Sequence, residues 1–117
     1  MIIIKTGGSA ITDKTSPFTP RHHVIKEVAE QVSRFSGEII MVHGGGSYGH
    51  PLAKEYHLQL GFSTPSQVIG VSRTRLSMMN LNTLLVSTLI ESGIPAVSIQ
   101  PSACFTCKET RISASFL

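Results

Sequence analysis

No run of apolar residues in this 117-residue chain is long enough to cross a bilayer, and no basic segment precedes a signal-like stretch. The opening MIIIK is far too short for either role, so the expectation is a cytoplasmic protein without a membrane partner. Cysteine is scarce: Cys104 and Cys107 stand alone, with no second pair and no histidines at ligand spacing after them. Half a zinc site is not a zinc site, so the two read as ordinary thiols and no metal ligands are assigned. Excess charge is also small. Ten basic residues against seven acidic ones leave +3, scattered along the chain, which argues against nucleic acid as a partner. A mild positive bias does suit a phosphorylated small molecule.

What the chain has is a hydrophobic content of 41%, enough for the core of one domain. MIIIK is a β-branched run of the kind buried on both faces of a parallel sheet. Thr19-Pro20 reads as an N-cap and first helical residue, with Val24, Ile25, Val28, Val32 and Phe35 at helical spacing and Gly37 as the stop. EIIMV (38–42) is a second strand. GHPLAKEY is a short helix with Pro51 in its first turn, and GFSTPSQ a loop in which Ser63 or Thr64 caps the next helix. That helix runs from about Pro65 to Ser92, with Val68, Met79, Leu84, Leu85 and Leu89 apolar, and ends at Gly93 and Pro95. AVSI (96–99) is a third strand, and the tail holds a short hairpin and the beginning of another helix. The alternation predicts an α/β fold: a parallel sheet with helices on both faces.

In such a sheet, ligands gather beyond the carboxyl ends of the strands. Gly7-Gly8 follows the first strand and Gly44-Gly45-Gly46 the second, so two turns rich in exposed N–H groups are expected to face one anion. Lys5 and Lys14 flank the first turn, and His50 follows the second near a helix start. Each piece has an ordinary reading: tight turns, surface lysines, a helix-capping imidazole. Together they are the parts of a polyphosphate cradle. His22, His23 and His57 have no evident partners and read as surface residues. Asp13, the nearest acid, is assigned to orienting its loop.

IIIKTGGSAITDK, VHGGGSYGHPLAKEY and GIPAVSIQPSA closely resemble the isopentenyl phosphate kinases, a branch of the amino acid kinase superfamily. The histidine closing GGG-S-aromatic-GH is shared with a related antibiotic (fosfomycin-type) kinase, the alternative reading, and separates both from the other enzymes of the superfamily. The resemblance implies a three-layer αβα sandwich and phosphorylation of isopentenyl phosphate by ATP with Mg2+ carried on the nucleotide phosphates, in isoprenoid biosynthesis by the mevalonate route. It implies that Lys5, Thr6, Gly7, Gly8, Ser9 and Gly46 meet ATP, and that Lys14 stabilises the moving phosphoryl group. Gly45, Gly49 and His50 would hold the substrate phosphate, with Lys5, Lys14 and His50 the catalytic set. Val71, Met78 and Met79 are candidate walls of a prenyl slot. A homodimer is implied for the whole protein.

The resemblance covers only the N-terminal part of that domain. Residues 1–117 are expected to be its substrate-phosphate part, without the nucleotide-binding part. The apolar Phe116-Leu117 ending adds the expectation of a truncated chain, which would have little activity alone. A non-catalytic phosphate-binding remnant is the third reading.

Overall fold

A computed structural model describes residues 1–116. Strand β1 (Ile2–Thr6) pairs in parallel with β2 (Ile39–His43), Ile2 opposite Ile39 and Thr6 opposite His43. Between them lie the one-turn helix α1 (Gly8–Ile11) and α2 (His22–Val32). A 3-10 turn (Gly46–Tyr48), the short α3 (His50–Glu55), a second 3-10 turn (Leu58–Leu60) and the long α4 (Ser66–Glu91) follow β2. The tail forms α5 (Pro101–Cys104) and an antiparallel hairpin of β3 (Phe105–Lys108) and β4 (Arg111–Ser115). No helix among the described residues is long and apolar enough to cross a membrane.

Period-two alternation divides the sheet. Ile4, Ile39 and Met41 point toward α2 and α4, where Ala29, Val32 and Leu89 form a cluster joined by Val28, Ile94 and Ala96. A second cluster, Ile11, Ile25, Leu81 and Leu85 with Tyr48 and Leu84, joins α1 and the glycine turn to both helices. Burying each large aliphatic side chain here contributes roughly 1.5–3 kcal/mol. The opposite sheet face is open: Ile3 is 67% exposed, Ile40 47% and Val42 46%.

Several expectations therefore change. MIIIK is buried on one face rather than two. Helices cover one face only within the described residues, so two of the three layers of the expected sandwich are present. AVSI (96–99) is not a strand. Ile94 and Ala96 pack into the cluster, but Val97 and Ile99 face solvent, and residues 96–99 join neither of the two sheets among the described residues. Pro20 does not open α2. It bridges to Thr12, and Arg21 N–H donates to Ile11 O at 2.8 Å, so the helix begins at His22. Phe35 and Gly37 lie beyond its last turn, and Phe35 is exposed.

The long helix starts and stops within a residue of expectation, with Leu85 and Leu89 inward but Val68 and Met79 outward. Its start is stapled in reverse of the expected capping. Neither Ser63 nor Thr64 caps through its hydroxyl. Instead the buried Gln67 carboxamide accepts from their N–H groups at 2.6 and 3.0 Å, and donates to His57 O and Gly61 O. The short helix with Pro51 in its first turn and the terminal hairpin match the reading, although α5 precedes the hairpin. Leu117 lies outside the described residues.

Candidate functional site

Both glycine turns begin at the carboxyl ends of the paired strands, so the parallel register alone brings them side by side. They touch backbone to backbone. A Cβ on Gly8 would run into Gly46 N and lie 2.7 Å from Gly46 Cα and 3.0 Å from Gly45 C. Gly46 has φ +48°, in the left-handed region, and a Cβ there would strike Thr12 Oγ1. Glycine is required here by close approach as well as by conformation.

Thr12 locks the contact. It is wholly buried, donates from Oγ1 to Gly8 O at 2.6 Å, and accepts from Ser47 N–H at 3.0 Å. One hydroxyl thus ties the first turn to the second. The loop carrying Lys14 is held by the same groups. Asp13 N–H donates to Thr19 O, and Asp13 Oδ1 accepts from Thr15 N–H at 2.9 Å and Oγ1 at 2.6 Å. Those bonds hold the Asp13 carboxyl below its ordinary value of 3.8. Phe18 N–H donates to Ser47 O and Thr19 N–H to Ser47 Oγ, docking the loop on the glycine turn. The Phe18 ring meets Tyr48 edge to face at 6.0 Å, and burial pushes the Tyr48 phenol up. Asp13 orients its loop, as expected.

Facing both turns is a cavity of about 370 Å³ lined by Lys5, Gly7, Gly8, Ser9, Lys14, Gly44, Gly45, Gly46 and His50. Its lining carries two lysines, a histidine and no carboxylate. Among the described residues, the N–H groups of Gly45 and Gly46 donate to no protein acceptor, and those of Gly8 and Ser9 open α1, where an intrahelical acceptor is not available. Cationic side chains and free N–H groups around one hollow are what an anion requires. A second cavity of equal volume, between α2 and α4, mixes Lys26 and His22 with Glu30 and Glu91 and offers no such bias.

Two of the expected site residues stand outside the lining. Thr6 is buried, its hydroxyl directed to Val42 O at 3.4 Å. Gly49 lies behind the turn, next to Gly45 and the Met78 sulfur. Of the candidate slot walls, Met78 is half-buried against Gly45 and Gly49, whereas Val71 and Met79 are exposed on α4. His50 is exposed as the first residue of α3; the cap position is Gly49, so the imidazole does not cap the helix. His22, His23 and His57 are exposed. Cys104 and Cys107 are free thiols. Thr12 and Ser47, which build the site, are ordinary hydroxyl residues in the sequence, and no spacing marks them. Ser77, donating to Tyr48 O at 2.6 Å, ties the turn to α4 in the same unannounced way.

Residues 1–115 match the model of the amino acid kinase family. The isopentenyl phosphate kinase of Thermoplasma acidophilum is 38% identical over 103 residues, 88% of this chain and 42% of that protein. That of Methanothermobacter thermautotrophicus is 36% identical, over 97% of this chain and 45% of its own. A crystal structure of an isopentenyl phosphate kinase superposes with a TM-score of 0.90 at 34% identity, covering 99% of this chain and 50% of that one. The chain thus spans about half the length of the relatives it matches. Sequence, parallel strand pair and interlocked glycine turns agree: this chain belongs to the amino acid kinase family.

Proposed function

We propose that this chain is the substrate-phosphate part of a kinase that transfers the γ-phosphate of ATP to isopentenyl phosphate, giving isopentenyl diphosphate and ADP. The observation that carries the reading is the single cavity in which Lys5, Lys14, His50 and both glycine turns converge. The similarity to isopentenyl phosphate kinases, at 31–38% identity in three archaeal proteins, supports the choice of substrate.

The chemistry suits the lining. The acceptor oxygen belongs to a phosphate, already anionic near neutral pH, so no general base is needed and positioning with charge neutralisation suffices. Lys5 neutralises the nucleotide's terminal phosphates beside the Gly8, Ser9 and Gly46 N–H groups. Lys14, on its stapled loop, faces the group in transfer. His50 and the Gly45 N–H hold the substrate phosphate. In this reading Mg2+ would arrive on the nucleotide phosphates and supply further charge neutralisation. Met78 is the one candidate wall placed next to the turn, and a flexible thioether suits an alkenyl chain. A cytoplasmic location and a homodimer belong to the same reading, as does a nucleotide-binding part outside these residues.

The test is direct. At its full encoded length, the protein incubated with isopentenyl phosphate and Mg-ATP should yield isopentenyl diphosphate and ADP, read by 31P NMR. The 117-residue chain should show little turnover in the same assay. Phosphorylation of an amino acid, a nucleotide or fosfomycin in preference to isopentenyl phosphate would overturn the substrate assignment.

A further inference from the structure

His43 ends β2 immediately before the glycine turn, and nothing in the phosphate cradle uses its imidazole. The ring is half-buried and bonded on both sides. Nδ1 lies 3.1 Å from Gly44 O, and Nε2 lies 3.1 Å from Nδ2 of Asn82 on α4. Asn82 Oδ1 in turn accepts from the Ser98 hydroxyl. We propose that Ser98, Asn82 and His43 form a directional hydrogen-bond relay that aims the Gly45 N–H, making His43 and Asn82 positioning residues of the phosphate turn.

Each link constrains the next. A carbonyl oxygen has no proton, so the Gly44 O contact requires Nδ1 to carry one. In a neutral ring Nε2 is then an acceptor, and only the NH2 side of the Asn82 carboxamide satisfies it. Its oxygen is thereby turned to Ser98, which donates. The payoff lies in one peptide plane. Gly44 C=O and Gly45 N–H belong to the same trans peptide and point in opposite directions, so fixing the carbonyl fixes the N–H. With glycine on both sides, that peptide otherwise has little to stop it from flipping. Gly44 is held at its other end by its N–H to Thr6 O at 3.0 Å, and a Cβ there would lie 2.7 Å from Gly8 N. The relay secures the remaining freedom and links α4 and the segment after it to the site.

The consequence for substrate rests on the kinase reading; the ring tautomer does not. In 15N spectra of the histidine-labelled protein at full encoded length and neutral pH, without substrate, His43 should show protonated Nδ1 and bare Nε2. Asn82→Ala, which leaves the Gly44 O contact alone to hold the proton on Nδ1, should give a mixture with the Nε2–H form that free imidazole favours in water. With isopentenyl phosphate, Asn82→Ala should raise KM about tenfold with kcat little changed, the loss of one hydrogen bond to a charged group. Asn82→Asp should restore KM, because a carboxylate accepts from a doubly protonated ring whose Nδ1–H still reaches Gly44 O. An Nε2–H or doubly protonated His43 in the unsubstituted protein would overturn the relay. So would an unchanged KM in Asn82→Ala. A protein that shows the Nδ1–H ring yet does not phosphorylate isopentenyl phosphate would instead count against the functional reading alone.

Discussion

Gly7 and Gly8 are adjacent, yet adding one methyl group to each should give very different results. A Cβ on Gly7 meets nothing within 4 Å, and the residue's φ of −64° is open to any side chain. A Cβ on Gly8 would collide with Gly46 N and sit 2.7 Å from Gly46 Cα, where carbon atoms ordinarily approach to about 3.5–4.0 Å. Relief requires the two turns to part by roughly 1 Å, and the contacting atoms are backbone on both sides, with no flexible side chain to yield. Overpacking of this kind costs about 1–3 kcal/mol, several degrees in Tm. Parting the turns also breaks the Thr12 bridge and spreads the N–H groups that face the cavity. A 1 Å misplacement of reacting groups is worth on the order of a hundredfold in rate. On the proposed kinase reading, Gly8→Ala in the protein at full encoded length should therefore lower both Tm and kcat/KM for isopentenyl phosphate, whereas Gly7→Ala should lose well under about 1 kcal/mol of stability. Calorimetry and steady-state kinetics on the two variants decide the matter. A Gly8→Ala protein with unaltered Tm and kcat/KM would refute the claim that backbone contact between the turns builds the site.

His50 is exposed and does not cap α3, so His50→Ala should leave Tm nearly unchanged while cutting turnover tenfold to a hundredfold, the loss of a charge-assisted bond of about 1.5–3 kcal/mol. His50→Gln keeps a donor and should retain more activity, and His57→Ala, also exposed, should match the unsubstituted protein. The Asp13 carboxyl is held below 3.8 by its bonds to Thr15, so its contribution to loop order is present above that value and is lost as pH falls through the lower, folded-state value. The Thr15 amide resonance should accordingly titrate with a midpoint below 3.8, and Asp13→Asn should abolish the transition.

Much of the site was legible because its parts are local. Strand, glycine turn and helix follow one another within a dozen residues, and a parallel pairing of β1 and β2 suffices to place both turns at one edge. Lys5, Lys14 and His50 flank those turns in the sequence, and all three line the cavity. The misreadings concern relations between distant segments. A β-branched run such as MIIIK specifies a strand but not how many of its faces are covered, and here Ile3 and Val42 face solvent. AVSI has strand composition without a partner to pair with. Pro20 has the form of a helix opener, but its bridge to Thr12 moves the start of α2 to His22.

By itself the sequence determined where the chain must turn without side chains and which cations stand beside those turns, since φ restrictions and hydrophobic periodicity act over a few residues. Only the tertiary structure decided that Thr12, Ser47, Gln67 and the Ser98–Asn82–His43 relay hold the turns and helices in place. Those residues gain their roles from partners up to 39 positions away. A hydroxyl or carboxamide carries no local signature of what it will bond to; at the buried Thr12, Ser47 and Gln67, loss of water leaves the protein partner as the one alternative.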